Sequence, residues 1–114
     1  MITIPAVCSA ENWEYMFSYQ NNGFYIDNDS LWFDGYRGGF LSKIVTPEGN
    51  AGIFTKSFED HYSEKYIDLY TTHLTTYTAD GKVHSSTDMN EQKRLDAEKA
   101  MYKVCKKIEH KCGR

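Results

Sequence analysis

The apolar positions of this chain follow a helical spacing at both ends and a strand-like spacing between them. Near the start, Trp13, Met16 and Phe17 recur three and four apart, with polar Gln20 completing the stripe. Ser9 can cap such a helix, and Asn22-Gly23 is a natural stop, so the pattern predicts a first helix over about 10–21. Ahead of it, residues 2–7 read as a short extended segment that Pro5 confines to a sheet edge.

The period then changes. Residues 24–26 and 31–33 flank Asp27-Asn28-Asp29-Ser30, which reads as a hairpin. Residues 40–45 form the next strand, Thr46-Pro47-Glu48-Gly49-Asn50 a turn, and residues 53–55 continue the meander. The polar stretch 57–65 suggests a helical turn capped by Ser57. Residues 66–78, rich in Tyr and Thr, read as one long strand or two joined by a bulge. Asp80-Gly81 then turns the chain into Lys82-Val83-His84.

The terminal segment carries the clearest helical signals. Ser86, Thr87 and Asp88 all offer capping oxygens, Glu91 follows Asp88 by three, and Gly113 ends the periodic run. A helix over about 89–111 is predicted. At 100° per residue, Ala97, Met101, Val104, Cys105, Ile108 and Cys112 fall on one side. Lys99, Lys103, Lys106, Lys107, His110 and Arg114 fall on the other, a basic ridge about 22 Å long. The expected fold is therefore a single α+β domain spanning 1–114. It has an N-terminal helix, an antiparallel meander of four to six strands, and a long amphipathic C-terminal helix packed on the sheet.

Composition supports one folded unit. The chain has 114 residues, 40% hydrophobic, and nine Tyr, six Phe and two Trp compensate for few Leu and Val. No apolar stretch is long enough to span a bilayer. Cys8, Cys105 and Cys112, an odd number without a secretory signal, suggest free thiols and a cytoplasmic setting. The net charge of −3 is uneven: residues 1–87 carry −6 and residues 88–114 carry +3.

Candidate chemistry is sparse. Cys105 and Cys112 share a helix face but His110 lies about 140° away, and the spacing matches no zinc pattern, so no metal and no cofactor is expected. His61, His73 and His84, near Glu59, Asp60 and Glu64, carry the acid–base option of a small hydrolase or nuclease. The loop Gly35-Tyr36-Arg37-Gly38-Gly39 lacks a phosphate-loop ending but offers Tyr36 and Arg37 as contact anchors. The favoured reading is a small non-enzymatic protein-binding module, monomeric or homodimeric. It would inhibit a nucleic-acid-binding, defence or toxin protein, as phage anti-defence and immunity proteins do. Its contact residues would be Glu59, Asp60 and Glu64 on the acidic body, Tyr36 and Arg37 on the loop, and Lys99, Lys103, Lys106 and Lys107 on the ridge. Nucleic-acid binding through that ridge is the alternative.

Overall fold

The computed structural model describes residues 12–113. The extended segment expected over 2–7, with Ser9 and Cys8, lies outside the described residues. The rest forms one antiparallel sheet and one helix. The strands are β1 (Trp13–Tyr19), β2 (Asn22–Asp27), β3 (Trp32–Phe33), β4 (Arg37–Val45), β5 (Ala51–His61), β6 (Tyr66–Tyr77) and β7 (Val83–Asp96). The helix is α1 (Ala100–Lys111). The spatial order is β1-β2-β4-β5-β6-β7, and β3 pairs with β4 beyond the end of β2.

This corrects the expected architecture at several points. The first is the N-terminal segment, which is a strand and not a helix. Its register against β2 shifts between Tyr15 and Phe17. The extra residue lets both Met16 and Phe17 pack against the core, which mimics helical spacing in the sequence. Gln20 and Asn21, both at positive φ, make the two-residue turn into β2. The second correction concerns residues 24–26 and 31–33, which do not pair with each other: each lies along β4. In the third, Ser57 is inside β5 and caps nothing.

The fourth correction is the largest. Residues 83–96 are strand, so the sheet has seven strands, and the helix begins only at Ala100. Two of the expected capping side chains, Ser86 and Asp88, are engaged across the sheet instead, as is their neighbour Ser85. Ser85 bonds Thr76 at 2.6 Å, Ser86 bonds His73 at 2.8 Å, and Asp88 bonds His73 at 2.8 Å. Lys99 stands at the N-cap with extended backbone and no side-chain cap.

One face of the sheet meets α1. Phe24, Ile26, Phe40, Phe58, Ile67, Leu69 and Leu95 from the strands enclose Val104, Cys105 and Ile108 from the helix. Burying an aliphatic side chain of this size contributes about 1.5–3 kcal/mol, so the helix face anchors the layer pair. The opposite face has no element over it among the described residues. No described helix is long and apolar enough to cross a membrane.

Two adjacent glycines on β4 set the sheet's thickness. A Cβ on Gly38 would overlap the buried Phe58 ring and lie 2.9 Å from the Trp32 carbonyl. A Cβ on Gly39 would overlap the Trp32 indole on the other face. Phe58 is locked in the core, whereas Trp32 is exposed and can swing aside. Gly38→Ala is therefore expected to cost about 1–3 kcal/mol, the usual range for overpacking. Gly39→Ala should cost clearly less. Urea unfolding midpoints of the two variants test the difference.

Candidate functional site

The strands are longer than the helix that covers them, and a groove remains on the helix side of the sheet. Phe17, Phe24, Ile44, Leu69, Leu95 and Met101 wall a cavity of about 390 Å³. A second hollow of about 510 Å³, lined by Phe54, Leu74 and Tyr77, continues from it through the shared Ile44. Lys99, Ala100 and Met101, at the start of α1, close the near end.

Lys56 lies in this apolar groove. The register across β4, β5 and β6 aligns Phe40, Lys56 and Thr71 in one row, all on the core side. β5 runs against β4 without a register shift, so plain alternation places Lys56 on the same face as Phe54 and Phe58. The irregularity against β6 skips Thr72 and brings Thr71 opposite Lys56. Its ammonium donates to Thr71 Oγ1 at 2.7 Å and lies 4.9 Å from the Phe54 ring centre. Burial pulls the Lys56 pKa down, partly offset by Glu91 and reinforced by Lys93. An ammonium has three donors, and Thr71 occupies one. Lys93 and Lys99 stand at the same rim, so three cations face one carboxylate, Glu91.

The predicted contact residues do not form one surface. Strand alternation separates Glu59 from Asp60. Glu59 sits on the open face, bound by Arg37 at 3.0 Å. Asp60 points to the helix and is 1% exposed. Glu64 lies in the exposed β5–β6 turn. Tyr36 meets the His61 ring edge-on at 5.8 Å, so Tyr36, Arg37, Glu59 and His61 do come together.

The basic ridge is largely neutralised within the fold. Lys106 reaches Asp60 at 2.8 Å and Glu109 at 3.4 Å. Lys107 and Lys111 both bind Glu14 of β1, at 3.2 and 3.0 Å. Lys99 belongs to the groove, and Lys103 is exposed. Hydrogen bonds from Asn28, Lys111 and Lys107 hold the Glu14 pKa down at about 2. Burial, and then the Asp60 carboxylate beside it, push the Glu109 carboxyl up to about 7. Asp60 Oδ1 and Glu109 Oε2 are both buried without a bonded partner among the described residues. A proton on the Glu109 carboxyl lets it donate towards Asp60, which relieves that cost.

The histidines are dispersed. His61 lies 3.1 Å from Asp68, and His84 lies near the far end of the groove. His73 bonds Asp88 through Nδ1 and Ser86 through Nε2, each at 2.8 Å. That order matches a nucleophile–base–acid chain. Yet Asp88 is 95% exposed, and none of Ser86, His73 and Asp88 lines either hollow. The chain is a solvated cross-strand ladder. Cys105 is buried among apolar residues, which pushes its thiol up and leaves it inert, and Cys112 is also free. Sequence reasoning missed Lys56, Thr71 and Asp68. The one available signal was the position of Lys56 between the apolar residues Phe54 and Phe58 of the same strand.

Comparison with protein-family models, curated proteins and solved structures returned no match for this chain.

Two outcomes follow for the helix–sheet junction. The raised Glu109 pKa means the folded state holds an extra proton between about pH 4.5 and 7. That contribution is complete below the ordinary value of 4.5 and is lost as pH rises through about 7. The melting temperature is expected to fall across that window, and Glu109→Gln should flatten the decline. The depressed Glu14 acts in a separate window, losing its contribution only as pH falls from 4.5 towards 2. Lys106→Met leaves Asp60 uncompensated and should cost about 3 kcal/mol. Lys103→Met should stay within roughly 0.5 kcal/mol. Chemical denaturation of the two variants checks the contrast.

Proposed function

We propose that this protein is a non-enzymatic protein-binding module whose site is the groove beside α1. Its partner is a protein segment that presents an acidic side chain among apolar ones. The observation that carries this reading is Lys56: a cation drawn into an apolar-walled groove, with one of three donors taken by Thr71. A concave apolar site with a few converging polar groups, one of them shifted in pKa, is a common form of binding site.

Charge narrows the choice of partner. Lys56, Lys93 and Lys99 outnumber Glu91 at the groove, so a carboxylate is favoured there. The ridge reading for nucleic acid loses support, because Lys106 and Lys107 are engaged by Asp60, Glu109 and Glu14. A module of this kind acts by occupancy, as an inhibitor does. The free thiols of Cys105 and Cys112 suit a reducing compartment, and we place the protein in the cytoplasm.

The test uses paired peptide arrays, one set with a single Asp or Glu among apolar residues, the other with Asn or Gln in its place. A hydrogen bond to a charged group is worth about 1.5–3 kcal/mol, so the acidic set should bind roughly ten- to a hundredfold tighter. Lys56→Met should erase that preference while leaving the fold intact by circular dichroism. Equal binding of both sets would refute the reading. So would a preference that survives in Lys56→Met.

A further inference from the structure

The open face of the sheet carries a separate cluster with different chemistry. The register aligns Arg37, Glu59, Asp68 and Arg94 in one row across four strands. Glu59 and Asp68 are direct cross-strand neighbours, an arrangement that like charges disfavour. His61, two residues along β5, shares their face. Its Nε2 lies 3.1 Å from Asp68 Oδ2 and 3.8 Å from Glu59 Oε1. One donor atom from each of the three lies within 4.8 Å of the others. None of the three is loosely solvated, with side chains 20%, 22% and 15% exposed for Glu59, His61 and Asp68.

Outer contacts hold these donors in place. The His61 ring stacks on Tyr66 at 4.5 Å and meets Tyr36 edge-on. Arg37 holds Glu59 by its second oxygen, Oε2, and Tyr70 donates to Oε1 at 3.2 Å. The Arg94 guanidinium lies 3.7 Å from the Tyr66 ring centre. Metal ligands are commonly oriented by such second contacts.

We propose that Glu59, His61 and Asp68 bind one divalent transition-metal ion of the zinc class. Nitrogen and oxygen ligands stand about 2.0–2.2 Å from such an ion, and the three donors, all within 4.8 Å of one another, are near enough to share one ion after side-chain rotation. An imidazole beside two carboxylates selects zinc, cobalt, nickel or manganese over calcium and magnesium, which favour all-oxygen shells. Three protein ligands leave a coordination position for water or for a donor from outside the chain. One cation also resolves the repulsion between Glu59 and Asp68. The site is on the opposite face from the groove and does not rest on the proposed function.

Equilibrium dialysis of the full chain against Zn²⁺ should give one ion per chain at this site. His61→Gln and Asp68→Asn, near-isosteric changes, should each weaken it roughly ten- to a hundredfold. His73→Gln and Cys112→Ser should leave it unchanged. Co²⁺ titration followed by NMR should broaden the signals of Glu59, His61 and Asp68 first. The proposal is overturned by absence of binding at millimolar Zn²⁺. It is equally overturned by binding that persists in both His61→Gln and Asp68→Asn, or by broadening centred on His73, His84 or the cysteines.

Discussion

The structure turns on a mismatch of length. A helix of 12 residues is about 18 Å long, while β5, β6 and β7, with 11, 12 and 14 residues, extend about twice as far. One helix cannot cover one face of such a sheet. Val104, Cys105 and Ile108 seal the half where Phe58, Ile67 and Leu95 lie. Beyond Met101 the same face continues with Ile44, Phe54 and Leu74, and no described element reaches it. The groove is thus the direct result of ending the helix layer early.

The junction between the layers combines apolar and ionic contacts. Apolar burial does not fix where a short helix stops along a sheet, because it is not directional. Paired charges are. Lys106 reaches Asp60 on central β5, while Lys107 and Lys111 reach Glu14 on edge strand β1. These contacts lie on different strands, so they fix both the position and the rotation of α1. The Asp60–Lys106 pair removes charges from solvent, and its net contribution to stability is small for that reason. Its value here is geometric: it keeps the N-terminal end of α1 at the groove.

Much of the central sheet was legible in the sequence, and both ends were not. The turns at Thr46–Asn50 and around Asp80-Gly81 follow from residues that permit positive φ, as Gly49 and Gly81 show. The long strand over Tyr66–Tyr77 followed from its Tyr, Thr and Ile content. The first segment misled because the bulge between Tyr15 and Phe17 converts a period of two into an apparent period of three. The last misled because the side chains that cap helices also bond well across strands. Ser85, Ser86 and Asp88 do the latter with Thr76 and His73. The apolar residues Val104, Cys105 and Ile108 were read on a common face, but nothing local in the sequence marked Ala100 as the helix start. Lys99 provides no side-chain cap.

The candidate sites were harder to see for a different reason: both are assembled across strands. Lys56 depends on Thr71 of β6, and His61 depends on Asp68 of the same strand, so no short motif carries either. What unites them is β5. It is hydrogen-bonded along both sides, to β4 and to β6, over nearly its whole length. A central strand is the least mobile position a sheet offers, and side chains on it are held more closely than those on loops. Alternation then divides them, with Lys56, Phe58 and Asp60 towards the helix and Glu59 and His61 towards the open face. The pairing of β5 with β4 keeps that alternation unbroken from Ala51 to Glu59, and the irregularity against β6 falls on β6, at Thr72. A one-residue slip of β5 would exchange the two faces, placing Lys56 and Asp60 in the open and Glu59 in the core. The register of one central strand therefore determines the lysine in the groove, the buried ionic junction and the histidine–carboxylate cluster together.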